Sequence, residues 1–269
     1  MAGNLSIGTA WAEAAAFVRS ERRLLAPVVL GLIMVPAVVA SMVQPQVAPG
    51  AKPEAGSWMI VTLLMLLTMV IGQLAIALLA NGWRGSVGEA IRRAAKRFPT
   101  LILAGLAVIV PMFVLLTLVF MLMGVTGGAG GQLSQASIGR ASLPLMLLFI
   151  VAALFVGVRL LPLIPVIAAS DRGPIAALKR SFQMTRGHFW KLLGFVLLLT
   201  IAFAVAAVAI SAVTGSLVML AFGRPEEWSV SLLLIALIGG LIQALFVTIY
   251  SAMLARIAVQ LEDAPTSGT

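Results

Sequence analysis

The chain has 269 residues, of which 61% are hydrophobic and 10% charged, with a mean hydropathy of +1.12. A soluble domain is about 45–50% apolar and about a quarter charged, so this composition excludes an ordinary soluble globule and predicts an integral membrane protein. The net charge of +9 predicts basic loops facing anionic lipid rather than nucleic acid, and the absence of cysteine excludes disulfides, thiolate catalysis and Cys-ligated metal.

A membrane span needs about 20 mostly apolar residues. Six runs meet that length: 24–43, 57–80, 100–124, 142–164, 192–221 and 229–259. Each is a predicted helix, because lipid offers backbone groups no other partner. The last two exceed a straight span and imply tilt or extension into the interface. The alternating strands of an outer-membrane barrel are absent from the sequence pattern. The expected fold is all-α: a six-span helix bundle forming a single domain over 1–262, then a short disordered tail, 263–269.

Ahead of the first span, Ile7, Ala10, Trp11, Ala14 and Val18 fall on one helical face. Arg22-Arg23 and the apolar run ending Val38-Val39-Ala40 imitate a cleaved signal peptide. Cleavage would leave five spans, so an uncleaved first span is preferred. Between the second and third spans the pattern recurs 80 residues on, as Val87, Ala90, Ile91, Ala94 and Phe98. Glu89, Arg92, Arg93, Lys96 and Arg97 lie on the opposite face. Between the fourth and fifth spans, 88 residues further, Arg172-Gly173-Pro174-Ile175 matches Arg84-Gly85-Ser86-Val87, and Leu178 and Phe182 continue the apolar face. Three copies of one unit, an amphipathic surface helix followed by a hairpin of spans, describe this economically. Coincidence between basic amphipathic helices is the alternative.

The cations are sided. Arg19, Arg22 and Arg23, then Arg84, Arg92, Arg93, Lys96 and Arg97, then Arg172, Lys179, Arg180, Arg186 and Lys191, with Arg256, place 14 of the 18 on one side. Lys52, Arg140 and Arg224 fall on the other, and Arg159 lies within the fourth run. The positive-inside rule makes both termini cytoplasmic, in agreement with an even number of spans. The expected location is a bacterial inner membrane. Trp11, Trp83 and Trp190 fall near the cytoplasmic boundary, and Trp58 and Trp228 near the outer one.

The stretch 175–194, IAALKRSFQMTRGHFWKLLG, is preceded by Arg159-Leu160-Leu161 and by Pro162 and Pro165. It resembles the membrane domain that accompanies some bacterial glycerophosphodiester phosphodiesterases, and that domain's standalone relatives. The resemblance is clearest over residues 155–200. It implies a multi-span helical membrane protein and does not imply phosphodiesterase activity, since that family's hydrolase chemistry sits in a separate soluble barrel that needs about 250 residues of its own.

No carboxylate falls in the middle of a span, which argues against a proton relay. Glu226-Glu227 reads as two solvated loop carboxylates. His188, the single histidine, lacks a nearby partner for catalysis or metal binding and is assigned to interfacial packing or a headgroup contact. The cluster Gly127-Gly128-Ala129-Gly130-Gly131 lacks the Lys-Ser/Thr of a phosphate loop and reads as a flexible connection. Arg159 needs a partner or a route to the surface, and carbonyls freed by Pro162 and Pro165 are the expected acceptors. Gln73 and Gln243 are expected to hydrogen-bond between spans.

These readings favour a non-enzymatic membrane protein without a cofactor, whose basic face engages anionic phospholipid or a protein partner. The candidate headgroup contacts are Arg92, Arg93, Lys96, Arg97, Arg159, Arg172, Lys179, Arg180, Arg186 and His188. A transporter or flippase with a polar path near Arg159, Gln73 and Gln243 is the alternative. A lipid-processing enzyme fits the residue inventory less well.

Overall fold

The computed structural model describes residues 6–45, 54–126, 135–226 and 228–263. It is all-helical among these residues. The elements are α1 (Ile7–Ser20), α2 (Arg22–Val29), a π-helical turn (Leu30–Met34), α3 (Val35–Val43), α4 (Ser57–Ala80), α5 (Val87–Thr126), α6 (Gln135–Arg159), α7 (Leu163–Ala169), α8 (Pro174–Met184), α9 (Phe189–Phe222) and α10 (Val230–Asp263). Six stretches are long and apolar enough to cross a membrane: Arg22–Val43, Ser57–Ala80, Val87–Met121, Met146–Ala169, Phe189–Phe222 and Val230–Glu262. The chain is therefore a multi-pass membrane protein with six spans.

Three details depart from the sequence expectations. First, the second surface helix and the third span are one continuous helix, α5, which passes through Pro99 and Pro111 without a break. At 40 residues it is roughly 60 Å long. Second, the fourth span is broken. The Leu160 amide is shared between the Val156 carbonyl at 3.0 Å and the Gly157 carbonyl at 3.1 Å, and the Leu161 amide falls back on the carbonyl three residues earlier, Val158 at 3.4 Å. Pro162 has no N–H to continue the ladder and disfavours helical backbone at Leu161. The helix restarts as α7. Third, α10 continues through Asp263, so the expected tail loses its first residue to the helix. The rest of that tail, 264–269, lies outside the described residues, as do Lys52, Glu227 and the glycine cluster 127–131.

The core is asymmetric along the bundle. In α4, Gly72 and every residue from Leu74 to Ala80 are buried, and in α10 residues 251–255 are buried. Of the most apolar part of each span, 44% is buried in α4 and 33% in α10, against 6% in both α5 and α9. The second and sixth spans therefore make the interior, and α9 offers Leu198, Val205, Val208 and Leu220 to lipid. Both inner spans cross the first span at its π turn. A Cβ at Gly72 would stand 3.0 Å from Leu32 Cβ. One at Gly240 would stand 2.8 Å from Val38 Cγ2 and 3.3 Å from the Met34 carbonyl. Glycine at these points lets the helices approach closely, and Gly240 does so within the chain.

The surface helices close the buried end. Helix α1 buries Ala10, Ala14 and Phe17; the start of α5 buries Ala90 and Ala94; α8 buries Ala177, Ser181 and Met184. Ala10/Ala90 and Ala14/Ala94 keep the 80-residue offset. The third copy does not keep 88: its buried positions follow an offset of 87, and Ile175 is 75% exposed. The amide of Ser6 donates to Gln260 Oε1 at 3.3 Å, bringing the beginning of α1 to the end of α10.

Candidate anion site at the basic end

The α4–α5 connection builds the most basic cleft. After α4, Gly82 takes a left-handed conformation (φ +85°), which turns the chain toward Trp83. Ser86 and Glu89 then form a reciprocal cap. The Ser86 amide donates to Glu89 Oε2 at 3.0 Å, and the Glu89 amide donates to Ser86 Oγ at 3.3 Å. Gly85 is enclosed by this arrangement, since a Cβ there would lie 2.7 Å from Glu89 Oε2 and 2.8 Å from the Trp83 ring. The cap fixes where α5 begins, and so where Arg92, Arg93, Lys96 and Arg97 project.

These four cations, with Trp83, Glu89, Thr100 and Asp171, line a cleft of about 620 Å³. The Arg93 guanidinium lies 5.4 Å from the centre of the Trp83 ring. Asp171, from the α7–α8 connection, ion-pairs with Arg97 and lies 3.9 Å from Arg93. Arg92 and Lys96 are exposed, while Arg93 and Arg97 are half-buried. Four cations against two carboxylates leave the cleft net positive, and one of those carboxylates is already engaged in the helix cap. Charged donors of this kind bind phosphate or carboxylate oxygens through charge-assisted hydrogen bonds.

The cations of α8 are not gathered into that cleft. Arg180 pairs with Glu262 of α10 at 3.6 Å. Arg172 lines a separate cleft of about 250 Å³ with Asn81, Ser170 and Glu262. Lys179 and Arg186 are exposed. Asp171 is the link between the two sets, reaching from the α8 side to the α5 arginines.

Arg159 is held differently from the expectation. Its Nη1 donates to the Phe182 carbonyl at 3.2 Å, in the last turn of α8, and not to carbonyls beside Pro162 or Pro165. The last carbonyls of a helix carry its partial negative charge, which makes them the better acceptor. Ser181 Oγ donates in return to the Arg159 carbonyl at 2.7 Å, and the guanidinium lies 5.1 Å from the Phe155 ring centre. His188 is half-buried ahead of α9, where its amide donates to the Thr185 carbonyl at 3.2 Å and its Nδ1 is buried without a partner. It does not line the cleft that contains Glu89 and Asp171. Gln73 is half-buried and Gln243 exposed. Neither makes the expected interhelical hydrogen bond among the described residues, and neither lines these clefts.

Two features escaped the sequence reading. Trp83 is a cleft wall as well as a boundary residue. Arg84 and Arg256 share a further cleft, of about 740 Å³, with Glu13 and Glu21. Only the fold brings positions some 240 residues apart together, so no local spacing could signal the second.

No curated protein and no solved structure matches the chain. A family model described as domain of unknown function DUF7847 matches residues 5–261, and the chain belongs to that family.

Proposed function

We propose that this integral membrane protein is a non-enzymatic module whose basic end faces the cytoplasm of a bacterial inner membrane and engages anionic phospholipid there. The observation that carries the reading is the net-positive cleft of Arg92, Arg93, Lys96 and Arg97, stiffened by the Ser86–Glu89 cap and stacked on Trp83. Each exposed Lys or Arg near an anionic leaflet contributes about 1 kcal/mol. The 14-to-3 division of cations supports the cytoplasmic orientation. The resemblance of residues 155–200 to the membrane domain accompanying glycerophosphodiester phosphodiesterases supports a membrane module, separate from any hydrolase.

The test is lipid binding to the purified full-length protein, read by native mass spectrometry. Phosphatidylglycerol should bind more tightly than phosphatidylcholine. Neutralising the two exposed cations, Arg92→Gln with Lys96→Gln, should weaken phosphatidylglycerol binding by roughly tenfold, the equivalent of about 1.4 kcal/mol. Unchanged phosphatidylglycerol binding in that variant would remove the reading.

A further inference from the structure

The cleft of about 740 Å³ at the basic end has a different character from the one just described. It opens between α1, the α4–α5 connection and α10, and four charged side chains line it: Glu13, Glu21, Arg84 and Arg256. Their formal charges cancel. Yet none of the four forms an ion pair among the described residues, whereas the neighbouring cleft pairs Arg93 and Arg97 with Asp171. Opposite charges thus line one cavity without direct contact between them.

Arg256 is the most constrained of the four. It is half-buried on α10, and its guanidinium carbon lies 5.8 Å from the centre of the Phe17 ring. Its Nε is buried without a hydrogen-bond partner among the described residues, so the guanidinium has donor capacity that the chain does not use. Glu21 is also half-buried, while Glu13 and Arg84 are exposed. Both signs of charge are therefore present on the lining, some sheltered and some open to solvent. Leu24 and Leu79 supply apolar wall, and Trp83 is shared with the basic cleft.

A purely anionic ligand would meet two carboxylates here, and a purely cationic one would meet two arginines. Complementarity requires both signs on one molecule. We propose that this cleft binds a phosphate ester carrying an ammonium group, the headgroup chemistry of an aminophospholipid. The phosphate is taken by Arg256 and Arg84 and the ammonium by Glu13 and Glu21, both through charge-assisted hydrogen bonds. The lipid form of the ligand rests on the proposed placement of this end at the membrane surface, but the two clefts can be tested apart.

The experiment titrates full-length protein carrying Arg92→Gln and Lys96→Gln, in detergent, with phosphatidylethanolamine or phosphatidylglycerol, and counts bound lipid by native mass spectrometry. Phosphatidylethanolamine should bind about tenfold more tightly than phosphatidylglycerol, the scale of one charge-assisted contact. Adding Glu13→Gln and Glu21→Gln should abolish that preference; both changes are near-isosteric, and neither side chain makes an ion pair or hydrogen bond among the described residues. Arg256→Gln should weaken phosphatidylethanolamine binding by a similar factor. Competition by soluble phosphoethanolamine at equal concentration would assign the site to the free headgroup; competition by the lipid alone would assign it to the membrane. Equal binding of the two lipids, or a preference untouched by Glu13→Gln with Glu21→Gln, would overturn the proposal. Persistent phosphatidylglycerol binding together with an intact, carboxylate-dependent preference would instead overturn the function proposed for the basic cleft alone.

Discussion

Arg159 and Ser181 bind each other's helix ends. The guanidinium satisfies a terminal carbonyl of α8, and the Ser181 hydroxyl satisfies the carbonyl of Arg159, where α6 stops. A broken span leaves carbonyls without intrahelical donors, so this exchange holds α6 and α8 together at the break. Ser181 is fully buried. Its removal as Ser181→Ala leaves the Arg159 carbonyl short of a partner and should cost about 1–3 kcal/mol, measurable as a lowered unfolding temperature in detergent. Arg159→Lys should also destabilise, since a point-like ammonium replaces the guanidinium fork that reaches the Phe182 carbonyl while lying over the Phe155 ring. If both variants melt with the unaltered chain, the exchange contributes nothing to stability. The sequence made Arg159 conspicuous because a cation within an apolar run must be accommodated somehow. It could not name the acceptor, because Phe182 lies 23 residues away and contributes only its backbone.

At the scale of elements, two kinds of local order position the clefts. One is the Ser86–Glu89 cap, a reciprocal Ser-x-x-Glu arrangement that the structure shows ahead of the amphipathic run of α5. Ser86→Ala should cost about 0.5–2 kcal/mol, and Glu89→Ala added to it should cost less than the sum of the separate changes, because the two side chains act as one unit. A thermal double-mutant cycle reads that directly. The other is the crossing of α4 and α10 on the π turn of the first span. A Cβ alone would stand 3.0 Å from Leu32 at Gly72 and 2.8 Å from Val38 at Gly240, and the longer side chain of leucine has to displace these neighbours. Overpacking of this kind costs about 1–3 kcal/mol or more, and either variant should lower the yield of monodisperse protein in detergent. Element existence was legible throughout, since apolar runs of span length leave helix as the only solution. The joins between elements were less so. Pro99 is accommodated inside α5, while Pro162 ends a helix, and nothing local separates the two outcomes. The third surface helix is likewise displaced by one residue from its best sequence alignment, because packing of Ala177 and Ser181 decides which face is buried, not apolar spacing alone.

Across the whole molecule, burial, charge and small residues converge on one end of the bundle. The second halves of α4 and α10 are packed there beneath α1, α7 and α8, while α5 and α9 run out into lipid along surfaces that bury little. The clefts and the cations that line them lie at this same end. Rigid packing under a charged surface keeps the charged groups in fixed relation, which headgroup recognition requires. The sidedness has a clean test because the chain has no cysteine of its own. Single cysteines introduced as Lys96→Cys and Trp228→Cys sit at opposite ends of the bundle, and both positions are exposed. With the basic end in the cytoplasm, a membrane-impermeant thiol reagent applied to spheroplasts should label the cysteine at 228 and leave that at 96 unlabelled until the membrane is opened. The reverse pattern would place the basic end outside, against the positive-inside bias. Both proposed lipid sites would then face the outer leaflet, and anionic lipid of the inner leaflet could no longer be their ligand.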